Sequence, residues 1–105
     1  MIIIETSFFT RQVQTLLSDE EYRGLQNMLI LHPESGSVIQ GSGGLRKVRW
    51  SSAGHGKRGG VRVIYYRAFS NEQILMLWMY AKSDQNDLTP KQLKVLREII
   101  KEEYP

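Results

Sequence analysis

Apolar residues recur with different spacings along this chain, and each spacing predicts a different element. Ile2, Ile3 and Ile4 are consecutive and β-branched, which predicts a short strand. From Phe8 the period becomes helical, with Phe9, Val13 and Leu16 or Leu17 on one stripe. A second helix follows almost at once. Ser18-Asp19-Glu20-Glu21 has capping-box spacing and puts acids in the first turn, where the helix dipole favours them. Tyr22, Leu25, Met28 and Leu29 form its inner face, and Pro33 stops it. So short a join predicts a helical hairpin.

Gly36, Gly41, Gly43 and Gly44 then interrupt regular structure. Residues 45–50 and 61–68 read as strands, with a glycine-rich basic loop over residues 51–60 between them. Asn71-Glu72 is a turn. Residues 74–80 are almost wholly apolar, which predicts a strand buried on both faces. The last helix has a complete start signal: Thr89 as cap, Pro90 at the first helical position and Gln92 closing a capping box. Leu93, Leu96 and Ile100 supply its stripe. The order β-α-α-β-β-β-α predicts one α+β domain over residues 1–105, built on a mixed, mainly antiparallel sheet with two N-terminal helices and a C-terminal helix.

Charge changes the picture more than composition does. The apolar fraction of 41% is ordinary for a globular chain. Between residues 35 and 71, however, there is no Asp or Glu, and seven of the 14 Lys and Arg fall there. Eight of the nine glycines fall there too. All 11 acids lie outside. Ordinary surfaces mix signs, so this segment predicts a cationic surface that attracts phosphate, most often nucleic acid. The absence of cysteine excludes disulfides and thiolate metal sites. His32 and His55 make no metal motif, and neither a metal nor another cofactor is expected. The apolar start is too short for a signal peptide and no run approaches a membrane span, so the expected location is cytoplasmic, away from membranes.

Alternation along the strands sorts the candidate residues. Arg46 shares a face with Val48 and Trp50, while Lys47 and Arg49 point the other way; Arg62, Ile64 and Tyr66 share one face of the next strand. If helices cover one side of the sheet, the opposite side is expected to present cations and aromatics. Arg62 is the sharpest candidate, a cation inside an apolar strand. Its guanidinium suits bidentate phosphate binding and cannot act as a base, the alternative being a partner carboxylate on a helix. Lys57, Lys82 and Tyr80 are candidates for proton transfer or charge stabilisation, because crowded cations lower a lysine pKa. Tyr80 is alternatively a base-stacking or rim tyrosine. His55, in the basic loop, has a pKa suited to acid–base work or is simply exposed. Gly41-Ser42-Gly43-Gly44 lacks the Lys-Ser/Thr of a nucleotide-binding loop. Asp84 and Asp87 read as loop or helix-start residues rather than metal ligands.

Three segments together resemble the HigB branch of the RelE toxin superfamily. They are Gly-Gly-Leu-Arg-Lys-Val-Arg at 43–49, Gly-Lys-Arg-Gly-Gly-Val-Arg-Val-Ile-Tyr-Tyr at 56–66, and Leu-Trp-Met-Tyr-Ala-Lys at 77–82 followed by Asp87-Leu88. The resemblance implies the toxin of a type II toxin–antitoxin system, a metal-independent endoribonuclease that enters the ribosomal A site and cleaves mRNA, halting translation. Its implied partners are mRNA, the ribosome and a helix-turn-helix antitoxin of the HigA type. Carried onto matching positions, Arg62 becomes the main phosphate-stabilising residue. Lys57 and Arg58 become loop cations that position or polarise RNA, Lys47 and Arg49 backbone-facing strand cations, and Tyr80 and Lys82 further functional residues. His55, Tyr66 and Arg46 complete the expected RNA-binding set. The C-terminal tyrosine that some relatives use has no clear counterpart. Two other readings stand beside this one: a DNA gyrase inhibitor of the similar ParE type, and a non-catalytic RNA-binding module.

Overall fold

Among the described residues, the three helices all begin at side-chain caps. The computed structural model describes residues 1–51 and 60–105. In α1 (Ser7–Leu16) the Thr6 hydroxyl accepts from the Phe9 N–H. In α2 (Asp19–Leu31) and α3 (Pro90–Glu103) the expected capping boxes form in full, Ser18 with Glu21 and Thr89 with Gln92. Each box satisfies N–H groups that the first helical turn leaves without partners.

Five strands form one sheet in the order β1-β5-β4-β3-β2, comprising β1 (Ile2–Glu5), β2 (Ser37–Val38), β3 (Arg46–Trp50), β4 (Val61–Ala68) and β5 (Gln73–Ala81). Among the described residues only the β1–β5 pair is parallel. The α+β architecture and element order are those expected, with one addition. The two-residue strand β2 lies in the glycine-rich stretch and pairs with β3 at the sheet edge. It carries too few residues for a period to show.

The helices lie on both faces, not one. α1 and α2 cover the first face, where Phe9, Leu25 and Leu29 meet Val63, Tyr65 and Met76. α3 packs on the second, where Leu96 and Ile100 meet Leu45, Ile64 and Leu77. The expectation of an open second face is thus corrected. The α3 stripe must bury itself, and β4 and β5 are apolar on both sides, so they offer it a seat. A bulge in β5 adds to that seat: Ile64 faces Trp78 while Tyr65 faces Met76, leaving Leu77 as an extra residue.

β1 ends at Glu5, opposite Met76, so among the described residues no strand lies beside the far half of β5 on that edge. α1 takes over there. The Thr6 hydroxyl donates to the Leu77 carbonyl at 2.9 Å, and the Gln12 side-chain oxygen accepts from the Met79 N–H at 2.8 Å. Glu5 ties the corner together, accepting from Thr10 at 2.7 Å and Tyr22 at 2.5 Å. Among the described residues no helix is long and apolar enough to cross a membrane.

Candidate functional site

The strand register decides which charges meet. Arg49 faces Arg62 across β3 and β4, and Arg62 faces Tyr80 across β4 and β5. One row along, Lys47 faces Ile64 and Ile64 faces Trp78. Residues opposite one another in antiparallel strands point to the same face. Lys47, Arg49, Arg62 and Tyr80 therefore share the α3 face, beside the helix. Two guanidiniums and an ammonium within two rows make a strongly positive patch on a half-buried floor.

The connection from β5 to α3 forms a wall. Lys82 follows the strand, its N–H donating to the Gly60 carbonyl at 3.1 Å and its Nζ to the Asn86 carbonyl at 3.2 Å. Asp87 reaches back across the sheet, and Lys47 Nζ lies 3.3 Å from its Oδ1. The same oxygen accepts from the Leu88 N–H at 2.8 Å. That backbone bond, helped by the ammoniums of Lys47 and Lys82, holds the Asp87 carboxyl below its ordinary range against the opposing effect of burial. Asp87 is the site group that sequence reasoning passed over. Its signal was its place just after the Tyr80–Lys82 segment, which a helix-start role explains equally well.

Tyr80 lies at the centre, 4% exposed. Its hydroxyl is buried with no hydrogen-bond partner among the described residues. Burial raises its pKa, the Asp87 charge adds to that, and the Arg62 charge partly offsets it. The phenol stays protonated at physiological pH, so it is a donor and not a base. An unsatisfied buried donor beside a guanidinium costs free energy until an acceptor arrives. A phosphate or ribose oxygen is such an acceptor.

The neck of the β3–β4 hairpin fixes this row in place. Gly60 adopts φ +68°, and a Cβ there would meet the Trp50 carbonyl oxygen at 2.4 Å. Only glycine fits. Trp50 pairs with Val61 one residue from the Arg49–Arg62 pair. Ser51 and Gly60, the described residues at the two ends of that connection, thus lie next to the patch. His55, Lys57 and Arg58 themselves lie outside the described residues.

Two expected members sit elsewhere. Arg46 points to the α1/α2 face with Val48 and Trp50, and its guanidinium donates to the Gly36 carbonyl at 2.7 Å. Tyr66 lies four residues along β4 from Arg62, about 13 Å at strand rise. There its ring packs at a tilt against Tyr104, 5.4 Å between centroids, and Tyr104 donates to the Gln73 side chain at 2.9 Å. Burial, then the Glu103 charge, raises the Tyr104 pKa.

Residues 3–104 match the family model described as the RelE toxin of the RelE/RelB toxin–antitoxin system. Among solved structures, the chain is similar to the free state of an E. coli toxin RelE variant with arginine-to-alanine substitutions. The TM-score is 0.58 at 12% identity, over 80% of this chain and 85% of that chain. The fold is RelE-like.

Proposed function

The chain belongs to the RelE toxin family, and from that premise we propose that it is a ribosome-dependent endoribonuclease, the toxin of a type II pair. The observation that carries the reading is the Arg49–Arg62–Tyr80 row flanked by Lys47 and Lys82. Family membership supplies the toxin class, and the row supplies the chemistry of a phosphodiester site.

The reaction is attack of a ribose 2′-oxygen on the adjacent phosphorus. A P–O2′ bond forms and the P–O5′ bond breaks. The 2′ proton leaves to a base, and the departing 5′-oxygen takes up a proton. Arg62 grips the non-bridging oxygens as their charge grows, through the planar fork of its guanidinium. Lys47 and Arg49 hold neighbouring phosphates and set the register. Tyr80 donates its hydroxyl proton in a hydrogen bond without giving it up. Proton transfer falls to Lys82 and to Lys57 of the basic stretch. No metal is needed in this scheme, because fixed guanidinium and ammonium charges take its part.

Such a site is short of strong acid–base groups. The ribosome compensates by holding mRNA in the reactive geometry, since alignment alone supplies about 7–11 kcal/mol in well-oriented systems. That is why we propose cleavage in the A site and not of free RNA. Within the family, the HigB branch and a helix-turn-helix antitoxin of the HigA type fit best the Gly-Lys-Arg-Gly-Gly-Val-Arg-Val-Ile-Tyr-Tyr segment at 56–66.

A translation extract tests the proposal. Wild-type protein should cut mRNA on ribosomes and leave the same mRNA intact without them. Intact mRNA on ribosomes, together with loss of gyrase supercoiling activity, would replace it with gyrase inhibition. Salt-sensitive RNA binding without cleavage would reduce it to a binding module.

A further inference from the structure

An apolar groove runs between α1 and α3, beside the cationic row but outside it. Its floor is the pair Phe8 and Trp78, with ring centroids 5.4 Å apart. This pair divides the groove into two hollows. The one on the α1 side measures about 420 Å³ and reaches Leu16; the one on the α3 side measures about 380 Å³ and reaches Val95 and Leu96. Val95 is 44% exposed, an apolar side chain left open on an otherwise polar helix surface. The groove exists because β1 stops at Glu5 while β5 continues to Ala81.

The charged residues that line the groove are Arg11 and Lys91, and no carboxylate lines it among the described residues. A partner that fits must therefore be apolar on one face and acidic at its flanks. Its backbone shape also follows. The β5 edge in this region is already capped, with the Leu77 carbonyl bonded to Thr6 and the Met79 N–H bonded to Gln12. A strand seeking to extend the sheet here finds those groups taken. A helix needs only side-chain pockets, and two hollows on either side of a ring pair suit two anchors one turn apart.

We propose that this groove is the antitoxin's docking site and that it takes an amphipathic helix with acidic flanks. The proposal rests on the toxin reading for the existence of the partner. It also explains neutralisation without a direct plug. Trp78 belongs to the Lys47–Ile64–Trp78 row, next to the Arg62 row. A negatively charged chain anchored there lies beside the phosphate site and repels RNA from it.

The test uses the full chain and the products of the reading frames that flank its gene. Val95→Glu puts a carboxylate into the α3-side hollow, at an exposed position that does not touch the cationic row. Lys91→Glu reverses the rim charge and serves as the second variant if Val95→Glu fails to fold. Leu31→Asp, an exposed apolar residue on α2 across the sheet, is the control. Wild type and Leu31→Asp should bind the flanking antitoxin equally and be neutralised by it. Val95→Glu and Lys91→Glu should still arrest growth when expressed alone, bind at least tenfold more weakly and escape neutralisation. Binding of both variants within threefold of wild type overturns the surface. Loss of a wild-type homodimer in the variants assigns the groove to a second copy and overturns the partner, as does failure of every flanking product to bind. Because binding is measured on purified proteins, its outcome is separate from that of the mRNA-cleavage experiment.

Discussion

Arg46 and Arg62 are both strand arginines, and the structure gives them opposite surroundings. Arg46 is drawn to the Gly36 carbonyl on the α1/α2 face, while Arg62 stands between Arg49 and Tyr80. Alternation within each strand was legible in the sequence and already separated Arg46 from Lys47 and Arg49. The pairing that brings Arg49 opposite Arg62, and Arg62 opposite Tyr80, was not. Register is a non-local property that hairpin geometry and core packing set together. Tyr80 is testable at this scale. Because burial and Asp87 raise its pKa above the ordinary 10.0, Tyr80→Phe should lower ribosomal mRNA cleavage about tenfold, the worth of one hydrogen bond. The loss should be equal at every pH between about 7 and 9. A variant that loses only the alkaline limb would show instead that the phenol titrates during the reaction. Asp87 gives a test of stability. Its carboxyl pKa is lowered in the fold from 3.8, so its ionised form favours the native state above that value. This stabilisation is lost as pH falls through the lower folded value. Asp87→Asn should therefore melt below wild type at pH 7, and the difference in Tm should vanish as the pH drops below about 3.8. A difference that persists unchanged at pH 2 would contradict the assignment.

At the scale of elements, the caps and stripes could be read directly. Ser18, Thr89, Pro90 and Gln92 act where their spacing placed them, since capping is local chemistry between residues at most three apart. β2 and the seat of α3 could not. The first is two residues long, and the second depends on which sheet face remains uncovered after α1 and α2 have docked. The neck at Gly60 is the element-scale device on which the site depends. Gly60→Ala must place a side chain at φ +68° against the Trp50 carbonyl. It should destabilise the fold by about 2 kcal/mol, a fall in Tm of about 10 °C for a domain of this size. Cleavage should fall as well, because the Trp50–Val61 pair next to the Arg49–Arg62 pair has to shift. An unchanged Tm by thermal unfolding would mean that the neck is not fixed as described.

For the whole molecule, the acid-free stretch and the two-sided sheet combine into one arrangement. Residues 35–71 bring the cations, yet the carboxylate of Asp87 and the hydroxyl of Tyr80 arrive from β5 and the connection to α3. Concentration of charge was legible as composition; the convergence of Lys47, Arg49 and Arg62 on one side of one sheet required the fold. α3 then makes the patch a bounded floor instead of an open face. On this reading cleavage belongs to the α3 face and to Arg62 within it. The most direct measurement compares Arg62→Ala with Arg46→Ala, two losses of one strand guanidinium each, by the rate of mRNA cleavage on ribosomes. Arg62→Ala should cut about 10²–10³-fold more slowly, the cost of one preorganised charge donor, while Arg46→Ala, compared at equal folded concentration, should stay within about threefold of wild type. Equal losses in the two variants, or full activity in Arg62→Ala, would contradict the account.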